Sequence, residues 1–357
     1  MALGGGVWTT QNKILPGSYV NFVNASKATS TVGDRGVVAL PYALGKSAGE
    51  VIELTKDEFV KNPTAKLGES VTFDSDAAKP LREIFAHATK VIIYDLGSGD
   101  GTKTASDAVA ALEPYEFNVL AAYTSTSGDI SAYTAAVKTW RDGGKKCQVV
   151  VYGGESTSEG ALAPDHEGVI NVVSTVSDDG AVGHELVAWV AGAEAGCAIN
   201  ASCTNMIYDG EYAVKCNHSQ SELEKCITDG QFVFHLVYGD VRVLEDINSL
   251  TTTTADKGED FKANQTIRVI DQIANDIAKL FNTKYLGKIP NNASGRISLW
   301  GDIVAHHRQL ETIQAIENFD SSLVTVEQGA TKKSVVVNDV ITVVNAMAQM
   351  YMTIVIQ

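Results

Sequence analysis

The sequence predicts an α/β protein: a central domain on a mostly parallel sheet, a C-terminal α+β domain, and N- and C-terminal arms. Three observations carry that expectation. From about residue 80, apolar β-branched runs such as KVIIYDL and QVVVY alternate with helical stretches, the pattern of a sheet covered on both faces. A polar break over 250–262, LTTTTADKGEDFK, ends the alternation, and helical and then β-rich sequence follows it. Both chain ends carry a short β pattern set apart from any core pattern.

Residues 1–30 read as an arm. Within YVNFV, Tyr19, Asn21 and Val23 share one face of a strand while Val20 and Phe22 share the other, between a Gly-rich stretch and NASKATSTVG. Residues 31–250 form the predicted central domain. Its pattern runs helix 79–89, strand 90–96, a Gly-rich turn 97–101, helix 102–112, strand 117–123, helix 130–141, and strands 148–152 and 169–174. The stretch AWVAGAEAGCAI is helical, and Gly192 and Gly196 on one face predict close backbone approach to a neighbour. Ser221 with Glu224 predicts a capped helix, and QFVFHLVYGDVRVLEDI predicts a hairpin turning at Gly239-Asp240.

Residues 251–350 form the predicted α+β domain. Ile267, Ile270, Ile273, Ile277, Leu280 and Phe281 follow helical spacing. A second helix, capped by Ser294, should bury Ile297, Ile303, Val304, Leu310 and Ile313. LVTVEQG and KKSVVVNDVITVV are β sequence, and residues 351–357, YMTIVIQ, form an apolar strand running to the last residue. A strand at a chain end needs a pairing partner, either inside its own fold or on another molecule.

Composition narrows the partners. Across 357 residues, 28 Lys+Arg against 43 Asp+Glu give a net charge of −15, which repels phosphate backbones and anionic lipid. Nucleic acid is an unfavourable partner, and no apolar run approaches the roughly 18 residues of a membrane span. The N-terminus lacks a secretory leader, and five cysteines are an odd and sparse set, so the expectation is a soluble, reduced protein assembled in the cytoplasm.

The sharpest enzymatic pattern is Tyr94-Asp95-Leu96-Gly97-Ser98-Gly99-Asp100-Gly101, a strand, Gly-rich turn and helix resembling the first motif of S-adenosylmethionine-dependent methyltransferases. That chemistry also needs an acidic residue at the end of the next strand, where this sequence has Tyr-Thr-Ser-Thr. His306 and His307 are adjacent and point about 100° apart on a helix, which does not suit chelation of one ion. Cys197, Cys203, Cys216 and Cys226 lack paired zinc spacing, and no Gly-x-Ser-x-Gly elbow occurs. The expectation is no catalytic residue, cofactor or metal.

Several segments in order resemble the tail sheath proteins of contractile phage tails and of the phage-tail-like bacteriocins of Gram-positive bacteria. They are GGGVWTTQNKILPGSYVNFVNAS, DRGVVALP, AWVAGAEAGCAINASCTNMIYDG, VRVLEDINSLTT, NQTIRVIDQIANDIAKLFNTKYLGKIPNNASGR and AMAQMYMTIVIQ. The resemblance implies a structural subunit that forms hexameric rings stacked helically on an inner tail tube, with baseplate and tail terminator proteins at the ends. It also implies contraction from a metastable state that drives the tube through a cell envelope. Carried onto this chain, the resemblance makes both terminal arms strand-exchanging: the strands donated to neighbours are Tyr19, Val20, Asn21, Phe22 and Val23, and Met352, Thr353, Ile354, Val355 and Ile356. The helix holding His306, His307 and Arg308 is the candidate tube-facing element. The β-sandwich inserted in many sheaths is missing, because KVIIYDL passes directly through its turn into a helix.

Overall fold

The computed structural model describes residues 32–98, 102–154, 164–177 and 182–356. The first half of the chain runs β1 (Val37–Tyr42), β2 (Val51–Thr55), α1 (Lys56–Lys61), α2 (Thr64–Leu67), α3 (Lys79–Phe85), β3 (Lys90–Asp95), α4 (Ala105–Leu112), β4 (Val119–Ala121) and α5 (Ser127–Asp142). It continues through β5 (Gln148–Tyr152), β6 (Val169–Val172), α6 (Leu186–Gly196), α7 (Gln220–Thr228), β7 (Gln231–Phe232), β8 (Phe234–Val237) and β9 (Asp240–Val243).

Seven of these strands form one sheet in the order β2-β3-β1-β4-β5-β6-β7, and β2 alone runs antiparallel to its neighbour. Alternate side chains feed two cores, as a doubly covered sheet requires. On β3, Val91 and Ile93 pack toward α3 and α6 with Leu81, Ile84 and Trp189. Ile92 and Tyr94 point the other way, toward α4 and α5 with Leu112, Tyr133 and Trp140. The central strand β1 was not read from the sequence as an element. Its VVALPY run is short and continuously apolar, which periodicity cannot assign.

Gly192 and Gly196 behave as their spacing predicts. A Cβ on Gly192 would lie 2.4 Å from the Ile84 carbonyl oxygen, and one on Gly196 would lie 2.2 Å from that of His87, so bare backbone lets α6 close onto α3 and the turn after it. Other local expectations shift. The cap of α7 is Ser219 with Glu222, two residues before the predicted Ser221 and Glu224, because Ser219 carries the extended backbone and accepts the Glu222 N–H. The β8–β9 hairpin turns on Tyr238 and Gly239, with φ of 51° and 97°, one residue earlier than predicted and in the left-handed region a two-residue turn demands.

The remainder comprises α8 (Asn264–Leu280), a π-helical turn over Phe281–Tyr285, α9 (Ala293–Thr312), β10 (Ile316–Glu317), β11 (Thr325–Gln328), β12 (Val335–Asn338) and β13 (Thr342–Val343). Among the described residues its strands form two antiparallel pairs, β10 with β13 and β11 with β12. Its cores are small: Leu280, Tyr285, Leu299, Ile303, Val304 and Val324 form one, and Val269, Leu310, Ala315 and Ile316 belong to another with Ile199 of the central domain.

Helix α8 departs from its apolar expectation. Ile270, Ile273 and Ile277 are only half-buried, whereas Asn264, Gln265, Thr266, Arg268, Asp271 and Gln272 are buried. The polar face docks on the central domain. Arg141 of α5 donates to both Asp271 carboxylate oxygens at 2.5 and 2.8 Å, and Gln148 of β5 donates to Asn264 at 3.0 Å. Helix α9 is capped by Asn292, which accepts the Gly295 N–H at 2.9 Å, in place of the predicted Ser294. Ile297 and Ile313, predicted inside, are 67% and 38% exposed, because at about 100° per residue Ile297 lies well around the helix from the buried stripe of Leu299, Ile303 and Leu310, and Ile313 follows the last helical residue.

Candidate functional site

The features that could carry a function of assembly lie where the two chain ends leave the fold. After β13 the backbone is tied down as far as residue 346: Val344 donates to the Ala315 carbonyl at 3.1 Å and Ala346 donates to the Gln265 side chain at 2.9 Å. Beyond that point no secondary structure forms among the described residues up to 356. Met352, Thr353, Ile354, Val355 and Ile356 are exposed, the last three at 72%, 79% and 92%. Of the two partners a terminal strand could have, its own molecule supplies none among the described residues. Tyr19–Val23, the N-terminal counterpart, lies outside the described residues.

The root of the N-terminal arm and the turn before β13 meet at α9. The backbone N–H of Val32 donates to the Gln309 side chain at 3.3 Å, and that of Gly33 donates to Asp276 Oδ2 at 3.0 Å. A Cβ on Gly33 would fall 2.6 Å from Asp276 Oδ1 and 2.9 Å from the Gln272 amide nitrogen, so a larger residue here would displace those side chains. The same Asp276 oxygen lies 2.9 Å from His306 Nε2. His306 Nδ1 faces His307 Nδ1 at 3.4 Å, and His307 Nε2 lies 2.5 Å from Asp339 Oδ2 in the turn between β12 and β13.

His306 and His307 are 2% and 0% exposed, and of the trio singled out on the candidate tube-facing helix only Arg308 is exposed. The helical rule that adjacent side chains diverge is overridden here. Aspartates on α8 and on the β12–β13 turn swing the two rings until their Nδ1 atoms face each other. A HisHis pair flanked by acidic residues far apart in sequence carries no signal that periodicity could find.

The Gly-rich turn also has a structural explanation. Asp95 Oδ1 accepts the N–H groups of Leu44, Gly45 and Gly97, and Oδ2 accepts those of Lys46 and Ser47, at 2.7 to 3.1 Å. Burial acts to raise this carboxyl, but the backbone donors outweigh it and hold it below its ordinary value. The motif's acid is spent on folding the 44–47 loop over the sheet. Within the described chain, the only trio of metal-capable side chains is Glu194, Cys203 and Asp246. A cation already sits there: Arg268 donates to Glu194 at 2.6 Å, to Asp246 at 3.2 Å and to the Ala201 carbonyl at 2.7 Å. Burial and the Asp246 charge push Glu194 well up, whereas for Asp246 the effect of burial is overcome by the Arg268 charge, which holds it low.

The architecture defines a class first. The fold is that of sheath proteins, matching the sheath tail protein of Desulfitobacterium hafniense with a TM-score of 0.77 and 24% identity over 93% of this chain and 98% of that one. It also matches the anti-feeding prophage helical sheath in its contracted state with a TM-score of 0.71 and 15% identity over 96% and 99%. The sequence makes the class a family. Residues 99–249 match the phage tail sheath protein central domain, and residues 256–357 match the phage tail sheath C-terminal domain. The chain belongs to the phage tail sheath family. It is 28% identical to the tail sheath protein of Clostridium phage phiCD119 over 308 residues, 81% of each. It is 37% identical to YqbK of Bacillus subtilis over 191 residues, 51% of this chain but only 39% of that relative.

Proposed function

We propose that this chain is the structural, non-enzymatic subunit of a contractile tail sheath, polymerising helically around an inner tube. The observation that carries this reading is the terminal segment. Ile354, Val355 and Ile356 are apolar, two-thirds or more exposed, and have no pairing strand among the described residues of their own chain. Left bare, such a segment is an aggregation site; added to a neighbouring copy's sheet, it gains several backbone hydrogen bonds and apolar burial. The two-stranded pairs of the C-terminal region leave open edges where strands of that kind fit. Tyr19–Val23 serves as the second donated strand.

Shared strands act as the permanent links, while weak exposed ion pairs exchange as the α/β bodies move. Contraction then needs no nucleotide if the extended lattice is trapped behind a barrier above a lower contracted one. Subunits assemble in hexameric rings in the host cytoplasm, with baseplate and terminator proteins at the two ends. The test is electron microscopy of the concentrated full chain beside a chain truncated after Tyr351. The full chain is expected to form helical tubes, and the truncated one to remain folded and unpolymerised. Tubes from the truncated chain would overturn the reading.

A further inference from the structure

We propose that the buried Asp276–His306–His307–Asp339 chain is a one-proton clasp that fastens the roots of both arms and opens when a second proton enters. In its consequence for assembly, the inference rests on the strand-exchange reading above. The argument is stoichiometric. Each Nε2 faces an aspartate oxygen, at 2.9 Å for His306 and 2.5 Å for His307, so each Nε2 carries a hydrogen and donates. The two Nδ1 atoms then face each other at 3.4 Å, where two lone pairs repel and two N–H groups collide. One proton between them satisfies the pair. That makes a single imidazolium shared by two rings, beside two carboxylates. Among the described residues, Asp276 and Asp339 engage the Nε2 atoms and no group with metal-ligand spacing includes the two rings, so the Nδ1 gap suits a proton and not a metal ion.

The clasp spans four elements. From α8, Asp276 faces the rings, and its other oxygen accepts the Gln272 amide at 2.9 Å. From the N-terminal side, the Gly33 N–H reaches Asp276, while the Arg35 guanidinium turns to Gln272 and the Glu194 carbonyl. Asp339 closes the far end from the β12–β13 turn, and the Phe319 ring lies 5.2 Å from that of His307. On α9 itself, Asp302 lies one turn before His306 and pairs with Lys284, Arg308 is exposed, and half-buried Glu311 accepts the Phe319 N–H at 3.0 Å. A second proton places N–H against N–H at a site with essentially no solvent exposure. The rings must part, and either Asp276 with Gly33 or Asp339 with the approach to β13 moves with them.

The experiment uses the full chain with nitrogen-15 in its histidines, titrated between about pH 8 and about pH 5, the span in which histidines ordinarily change charge. Ring spectra should show one Nδ1 proton averaged over His306 and His307, then a second step. At that step the Gly33 and Val344 amides should exchange about tenfold faster after correction for intrinsic rates. Asp339→Asn keeps an acceptor but removes the negative charge that favours a protonated ring, so it should move the step to lower pH, and His307→Gln should abolish it. Independent titration of the two rings with unchanged exchange at Gly33 and Val344 would overturn the clasp. So would an identical step in His307→Gln. Tube formation is scored at both ends of the titration. If the amides respond while tubes form equally well, the clasp stands and the strand-exchange reading fails.

Discussion

Ile170 and Ile354 are the same side chain in β-patterned sequence, yet their surroundings are opposite. Ile170 lies in β6 between two parallel neighbours with no exposure, whereas Ile354 lies in a segment with no pairing strand among the described residues and is 72% exposed. The contrast extends to the regions around them. The central domain surrounds a seven-stranded sheet with helices on both faces, while the C-terminal region holds two-stranded pairs over small cores. Isolated two-stranded ribbons are marginal in water, so the second region rests on its helices and small cores. On the proposed reading, one part of the molecule completes itself and the other is finished by assembly.

A loss of several kcal/mol is expected at the seam between the two. Arg268 of α8 is fully buried and pairs with Asp246 and Glu194 of the central domain. Arg268→Met leaves Asp246 as a buried charge without a partner, which costs about 3 to 5 kcal/mol. Urea denaturation should show that loss, and adding Asp246→Asn should recover much of it. An unchanged midpoint would mean that the seam is held by something other than this network.

A smaller effect belongs to the central domain. Glu83 of α3 accepts from the Tyr208 hydroxyl at 3.0 Å and from the Glu211 N–H at 2.5 Å, and burial pushes its carboxyl from 4.5 up to about 7. The folded state therefore holds this proton more tightly than the unfolded state. The stability it supplies is complete below about pH 4.5 and is lost as pH rises through about 7. Glu83→Gln should gain on the wild type by an amount on the order of 3 kcal/mol across that window. Stability curves of the two proteins that run parallel from pH 4.5 to 8 would show that Glu83 ionises without penalty.

The parts that were legible in the sequence are those in which each segment's pattern answers to its own neighbours. The alternation from residue 80 onward reads correctly because a doubly covered sheet imposes apolar runs on strands and apolar stripes on helices. Gly192 and Gly196 read correctly because tight helix contact admits no side chain. Strand β1 was missed because it pairs only with segments far along the chain, β3 and β4. The polar dock of α8 and the His306–His307 pair were missed for a related reason. Their logic is reciprocal ionic and hydrogen-bond pairing across 22 to 130 residues, and no local spacing encodes a partner that distant.

The smallest expected effect on stability is the one that separates the two regions most cleanly. Ile170→Lys buries an unpaired charge in the sheet interior and should abolish cooperative folding, since no partner or solvent reaches that site. Ile354→Lys places the same charge where the side chain already meets water, so the unfolding midpoint should stay within about 0.5 kcal/mol of the wild type. Its effect should appear only when copies meet. A lysine in a donated strand must be buried against the receiving sheet or force the strand out, and polymerisation measured by light scattering should fall while the monomer melts normally. A midpoint that drops with Ile354→Lys would place this segment inside its own molecule's fold and erase the distinction between the two regions.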